Sequence, residues 1–585
     1  MEVNEKINSC RKLMEEKNID AYIVNTADYH QSEYISDFFK VREFLTGFTG
    51  SEGTFVIFKD EACLWVDGRY HIQAEKETMG TEIRLFKLGQ KNVPTYSEYL
   101  ITKLRENAIL GFDEKLMLAS DVLNLLSRKK FKIESFDPIE KLWKKRPRFP
   151  NGKIFVLEEK YSGKEHNLKI QELREKMLEL NADFNIISSL DDIAWLYNIR
   201  GNDIKNTPVS LAFSIISKDK TYLYINKSKI NKPYLKYFDE NFIELRDYFQ
   251  VSEDIKKLRG NILIDLKASS YEIYNSIDKK NKIINSPNPS SYLKAHKNEV
   301  EIQNTREIHI QDALAVTKFM HWLKTSYKTE EITELFAAQK IDSLRKEIIG
   351  YLDTSFDTIS AFGKNAAMAH YKASERSNVR IKDGVFLVDS GGQYLKGTTD
   401  ITRTFFLGKV SKDKKIHNTL VLKGMLALSR AKFLSGVTGT NLDILARQFL
   451  WSNSLDYKHG TGHGVGHILN VHEGPHGIRM QYNSQKLEEG MIVTNEPAIY
   501  VEGSHGIRIE NELLVKSSIE NEYGQFLEFE TLTYVPIDLD GIVKPMLTLQ
   551  EKIQLNEYHK QVFEKLSPYL NRKEKAFLKE YTKII

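Results

Sequence analysis

The chain has 585 residues, in which 84 Lys and Arg face 80 Asp and Glu and leave a formal charge of +4. So even a balance excludes a chain-wide field for nucleic acid or an anionic membrane surface. Two cysteines, Cys10 and Cys63, are too few for a disulfide framework or a thiolate zinc site, and they suit a reducing compartment.

At about 150 residues per domain, the length predicts three to four domains. The opening M-E-V-N-E-K is charged and has no apolar h-region, and no later run reaches the ~18 apolar residues of a membrane span. A soluble, cytoplasmic protein with no membrane and no nucleic-acid partner is expected. Two Pro-containing connectors, W-K-K-R-P-R-F-P at 143–150 and N-S-P-N-P-S-S at 285–291, divide the chain into blocks 1–150, 151–290 and 291–585. Lys144, Lys145, Arg146 and Arg148 also fit a loose nuclear-localisation pattern; such short patterns arise by chance, and the stretch reads as a basic linker.

In block one a helical segment from Leu13 leads into the apolar run 21–24, a hairpin joins 55–58 to 64–67, and a third run ends at Asp113. Block two repeats these landmarks in order, with a helical segment from Leu173 into 183–187, a hairpin of 213–216 and 222–226, and a run ending at Asp265. Helices alternating with short β-rich runs predict an α/β domain present twice. Block three opens with a long helix in which Leu314, Phe319, Trp322 and Leu323 fall near a 3.6-residue period. Thr329 before Glu330 and Glu331 predicts the N-cap of a second helix running through Leu335. Strand-like runs with Gly turns follow. Thr548 and Glu551 then have capping-box spacing ahead of a last helix with Ile553, Leu555, Val562 and Leu566. Block three is therefore α+β, with a β-rich centre flanked by helices.

Six of the 15 histidines and nine of the 32 glycines fall within 459–506, so the chemistry concentrates there. Four patterns mislead. H-E-G-P-H at 472–476 has the zincin spelling, but Gly474 and Pro475 oppose the helix that site needs. His459, His463 and His467 are four apart, yet four glycines interleave them and make a loop. Gly392 and Gly397 have Walker-A spacing with Thr398 where the lysine belongs, and the glycine loop lacks G-x-G-x-x-G.

The positive signal is carboxylates at the ends of apolar strands. Asp389 closes V-F-L-V-D, and Asp400 opens a second strand beyond a Gly-rich turn. Glu496 and Glu510 each interrupt a later β-like run. One such acid alone is ordinarily a solvent-facing edge residue. Four of them beside the His and Gly cluster carry four negative charges that would raise one another's pKa values unless cations balance them. Two divalent cations do so, and mostly oxygen ligands with one imidazole suit Mn²⁺ and related ions. Two metals about 3.5–4 Å apart sharing a water point to metal-assisted hydrolysis.

V-D-S-G-G-Q-Y (388–394), G-T-T-D-I-T-R-T (397–404), G-T-G-H-G-V-G-H (460–467), N-E-P-A-I-Y (495–500) and G-I-R-I-E-N (506–511) follow in that order. On these motifs the chain resembles the pita-bread metallopeptidases, and most closely the three-domain Xaa-Pro aminopeptidase (aminopeptidase P) family. R-E-F-L-T-G-F-T-G-S at 42–51 and W-V-D-G-R at 65–69 resemble that family's first domain, so nearly the whole chain is covered. The resemblance implies two tandem creatinase-N-terminal-like α/β domains followed by a pita-bread (α+β) catalytic domain. It implies the metal ligands Asp389, Asp400, His463, Glu496 and Glu510, with Asp400 and Glu510 bridging, Asp389 on one metal, and His463 and Glu496 on the other. A bridging hydroxide would attack, with Glu496 accepting its proton. His370 and His472 match the substrate-side histidines that position the scissile carbonyl and stabilise the tetrahedral intermediate. His459 matches one lining the proline pocket, and Arg508 one orienting the bridging glutamate. His467, His476 and His505 are read as structural.

The implied activity is release of the first residue from peptides with proline second, with Mn²⁺ as the metal and a homodimer as the assembly. Xaa-Pro dipeptidases (prolidases) carry one N-terminal α/β domain where this chain has two, and methionine aminopeptidases are little more than block three. Creatinase-like relatives and histone-chaperone-type binding modules lack the ligand set, which is complete here.

Overall fold

The computed structural model describes residues 2–585. Two compact units form, one holding the residues up to Glu158 with Lys164–Ser291, the other Glu159–Gly163 with Tyr292–Ile585. No helix among the described residues is long and apolar enough to cross a membrane.

The first unit contains two six-stranded sheets. Strands β1 (Ala21–Asn25), β2 (Thr54–Phe58), β3 (Ala62–Val66), β4 (Ile83–Lys87), β5 (Ile109–Phe112) and β6 (Lys132–Ser135) lie in the order 4-3-2-1-5-6. Strands β7 (Phe184–Ile187), β8 (Ala212–Ser217), β9 (Thr221–Ile225), β10 (Ile243–Arg246), β11 (Asn261–Ile264) and β12 (Lys282–Asn285) lie in the order 10-9-8-7-11-12, the same path displaced by six. Strand directions agree as well. The central pairs are antiparallel (β1 with β2, β7 with β8) and the pairs beside them parallel (β1 with β5, β7 with β11), and the expected hairpins are β2 with β3 and β8 with β9. The repeated landmarks thus belong to one α/β fold built twice. The central runs are continuous apolar sequence because both faces are covered: Ala21, Tyr22, Ile23 and Val24 are all buried. In the connector, Arg146 donates from Nε to Phe38 O at 2.9 Å and lies over the Phe38 ring, while Lys144, Lys145 and Arg148 are exposed.

In the second unit, β13 (Ile359–Phe362), β14 (Gly384–Ser390) and β15 (Ile401–Leu407) form an antiparallel sheet. A second sheet has β16 (Lys432–Leu434), β17 (Gly462–Gly464), β18 (Glu473–Ile478), β19 (Ile492–Asn495), β22 (Asn511–Asn521) and β23 (Gly524–Thr531) in the order 16-23-22-19-17-18. Between them in sequence, β20 (Ala498–Val501) pairs with β21 (His505–Arg508). Alternate residues of β14 enter different clusters. Phe386 and Val388 pack with Phe319, Met320 and Val562, whereas Val385 packs with Val421, Met425 and Ile507. Period-two alternation into two apolar clusters means that helices cover both faces of this sheet. The long helix, Glu299–Ser326, starts on a capping box of Asn298 and Glu301, and the last, Leu549–Leu566, on one of Thr548 and Glu551. In the latter, Leu555, Val562 and Leu566 are buried while Ile553 faces solvent.

The helix expected from Thr329 begins later. The Thr329 hydroxyl donates to Ser326 O, closing the turn after the long helix, and the next helix spans Glu334–Lys346 with Thr333 as its cap. Ile332 decides this difference: it is fully buried and accepts from Ile381 N–H at 2.8 Å, which keeps the chain extended up to Thr333.

Candidate dinuclear metal site

The antiparallel register of β14 and β15 sets Asp389 opposite Thr402 and Ser390 opposite Ile401, so Asp389 and Asp400 meet at one end of the sheet. Glu496 follows β19 and Glu510 precedes β22. Because Asn495 pairs with Asn511, the two glutamates flank one rung of that ladder. His463 sits in the middle of β17, between glycines that let strands approach closely: a Cβ on Gly462 would fall 1.9 Å from Thr494 O. Its Nδ1 lies 3.0 Å from Gly464 O, which turns Nε2 toward Asp400 Oδ2 and Glu496 Oε1, each 3.5 Å away.

Three overlapping trios result, each with ligand atoms within 4.8 Å of one another: Asp389, Asp400 and Glu510; His463, Glu496 and Glu510; Asp400, His463 and His472. All five sequence-predicted ligands are in this cluster. Burial, then Asp400, Glu496 and Asp389, push the Glu510 carboxyl far above its usual range. Burial raises Asp389 even beside Arg508, and raises Glu496 to about 6 against the pull of His463 and Arg508. Burial would lower His463, but Asp400 and Glu496 outweigh it and hold the imidazole at about 9. Asp389 Oδ1 is buried with no hydrogen-bond donor. Crowded acids, an imidazole drawn toward charge and an orphaned carboxylate oxygen all fit divalent cations in this donor set.

Of the other predicted residues, His472, His459 and Arg508 adjoin the cluster. The His472 ring stands 4.2 Å from that of His463, edge to face. His459 places Nε2 2.9 Å from Tyr500 Oη and Nδ1 3.9 Å from Glu496 Oε2. His370 lies in the irregular segment between β13 and β14, just after the short turn Gly363–Ala367. Arg508 donates from Nη2 to Asp389 Oδ2 at 2.5 Å, from Nε to Thr402 Oγ1 at 3.1 Å, and from Nη1 to Tyr500 Oη. Its direct carboxylate partner is therefore Asp389; it reaches Glu510 through Thr402, whose hydroxyl donates to Glu510 Oε2 at 2.7 Å. The histidines read as structural hold ordinary partners. His467 Nε2 is 3.0 Å from Tyr161 O, His476 Nε2 2.7 Å from Ile492 O, and His505 Nε2 3.0 Å from His417 Nδ1.

Sequence reasoning passed over Tyr500, Thr402 and Glu512, although the first two lie inside motifs it quoted. Glu512 accepts the backbone N–H of Asp400 at 2.7 Å and stands 3.2 Å from the buried His309 on the long helix. No motif announces that pair, because its halves are 203 positions apart.

A helix-covered antiparallel core with clustered carboxylates and one imidazole at its strand ends defines a metal-dependent hydrolase of the pita-bread fold. Known proteins agree. Residues 303–517 match metallopeptidase family M24 and 525–585 the C-terminal region of peptidase M24; 6–144 and 145–301 each match a creatinase/prolidase N-terminal domain. Xaa-Pro aminopeptidase 1 of Dictyostelium discoideum is 38% identical, over 97% of this chain and 94% of that one. A probable Xaa-Pro aminopeptidase P of Laccaria bicolor is likewise 38% identical, over 97% and 91%. The crystal structure of X-prolyl aminopeptidase from Caenorhabditis elegans, described as a cytosolic enzyme with a di-nuclear active site, superposes with a TM-score of 0.96 at 33% identity and covers both chains completely. The chain belongs to the Xaa-Pro aminopeptidases of metallopeptidase family M24. A Bacillus anthracis Xaa-Pro dipeptidase shares the fold over only 64% of this chain (99% of its own; TM-score 0.51, 24% identity), the shorter architecture set aside above.

Proposed function

We propose that the chain is a metallo-aminopeptidase that hydrolyses the bond between the first residue of a peptide and a proline in second position. The observation that carries this is the set of three overlapping ligand trios in a chain alike, end to end, to Xaa-Pro aminopeptidases. Asp389, Asp400, His463, Glu496 and Glu510 would hold the two ions. When bound, such ions acidify a water and polarise a carbonyl at neutral pH. The chain supplies the rest. Glu496, whose carboxylate lies 3.5 Å from His463 Nε2 in the cluster, accepts the proton of the attacking water. His472 and His370 present N–H groups to the charge that develops on the carbonyl oxygen. Arg508 holds Asp389 and, through Thr402, Glu510 in place, and His459 with Tyr500 lines the proline pocket. A proline nitrogen carries no N–H, so the site must read the ring and the free α-amine instead.

The same reading takes Mn²⁺ as the metal, on its hard oxygen ligands, with a homodimer in the cytoplasm and domain boundaries near 150 and 290. Its test is metal dependence with a count. Chelated protein is expected to leave Arg-Pro-Pro intact, and activity to return as two Mn²⁺ bind per chain. Turnover that survives complete chelation would contradict the reading.

A further inference from the structure

The segment 363–383, which carries His370, has no strand and no α-helix, and its internal backbone bonds are those of the 3-10 turn Gly363–Ala367 and of short turns at 365–371 and 374–378. One side chain reaches its beginning, middle and end. Glu334, the first residue of the helix Glu334–Lys346, is fully buried, and its carboxylate is met by neutral donors. Phe362 N–H donates to it at 2.7 Å, Asn365 Nδ2 at 3.1 and 3.2 Å, Tyr371 Oη at 2.9 Å and Val379 N–H at 3.2 Å.

Closing the segment does not require this carboxylate. Glu334 N–H donates to Val379 O at 3.1 Å and Ile381 N–H to Ile332 O at 2.8 Å, backbone anchors that any side chain at 334 would keep. What the carboxylate adds lies inside the segment, at Asn365 and above all at Tyr371, the neighbour of His370. The Tyr371 ring is packed on Ile359, Ala361, Ala366 and Leu387, so its hydroxyl has a fixed place from which to meet Glu334. Bonds to an ionised acceptor are about twice as strong as neutral ones and hold geometry correspondingly tightly.

We propose that Glu334 is a positioning residue for His370, acting through Tyr371 to fix where the imidazole stands against the substrate carbonyl. This rests on the reading of His370 as a substrate-side histidine. The test is a double-mutant cycle on Arg-Pro-Pro turnover, with Glu334→Gln and Tyr371→Phe made alone and on top of His370→Ala, and melting temperatures taken throughout. Tyr371→Phe keeps the packed ring, so it stays informative should Glu334→Gln fail to fold. Each single change is expected to lower kcat by about tenfold or more with KM within about threefold, as a misplaced catalytic group does. On the His370→Ala background each is expected to cost no more than about twofold, since residues acting through one another are not additive. The same factor on both backgrounds, or unchanged kcat in the single variants, would overturn the proposal. Parent-like turnover by His370→Ala would instead overturn the reading on which it rests.

Discussion

Glu496 shows at the scale of one residue what the fold does to chemistry. On an open strand it would be an ordinary solvent-facing carboxylate; here burial raises its carboxyl while His463 and Arg508 oppose the rise, and a bound cation would oppose it further. Glu496→Gln is expected to lower kcat by about 10²–10⁴-fold with the fold intact by circular dichroism, because the acceptor and one ligand charge go together. Arg508→Lys tests the surrounding support. A lysine cannot bridge Asp389, Thr402 and Tyr500 at once, so Mn²⁺ affinity by calorimetry is expected to fall by about 10–100-fold. An unchanged affinity would separate Arg508 from the metal site. The four clustered carboxylates were legible because each ends or interrupts an apolar run, which needs a reason, whereas His463 sits in a glycine loop and entered only through the family resemblance. The residues around them were not: Thr402, Tyr500 and Glu512 look like ordinary strand residues until distant segments bring them to the cluster.

Among the elements, the glycine-rich strand β17 is where sequence and packing meet. Glycine at 462 lets β17 lie against β19, and a methyl group there would overlap Thr494 O at 1.9 Å. Gly462→Ala is expected to destabilise by about 1–3 kcal/mol by overpacking and to weaken metal binding together with stability, since His463 is the next residue. The helix Leu549–Leu566 carries a pH-dependent contribution. His559 Nε2 accepts Ile537 N–H at 3.1 Å, and burial, with Arg403 nearby, pushes the imidazole down to about 3. The native ring is neutral, whereas the unfolded ring titrates near its ordinary value of about 6.5. Its contribution is therefore complete above pH 6.5 and is lost progressively as the pH falls toward 3. His559→Gln, whose amide oxygen can still accept the Ile537 N–H, is expected to flatten the fall in melting temperature between pH 6.5 and 4; an unaltered slope would contradict this. The misplaced helix start at Thr329 belongs to the same scale. Capping chemistry pointed to Thr329, and the burial of Ile332 keeps the chain extended as far as Thr333.

At the scale of the molecule, the duplicated sheet explains the length. Two α/β copies with one strand order precede the catalytic unit, and this was legible because three landmarks kept their order even where residues diverged. The net charge of +4 was a poor guide, because it averages away the local excess of carboxylates on which the chemistry depends. Metal should also count toward stability. A ligand at about 100 times its Kd stabilises by about 2.7 kcal/mol per site, so chelation is expected to lower the melting of the second unit by several degrees and leave that of the first unchanged. Calorimetry showing both units shifting equally would contradict a site confined to the second.

Product analysis by mass spectrometry tests the central claim most directly. With Mn²⁺ present, Arg-Pro-Pro is expected to be cut to Arg and Pro-Pro while Met-Ala-Ser stays whole. Cleavage of Arg-Pro alone, of Met-Ala-Ser alone, or of neither proline peptide would contradict it.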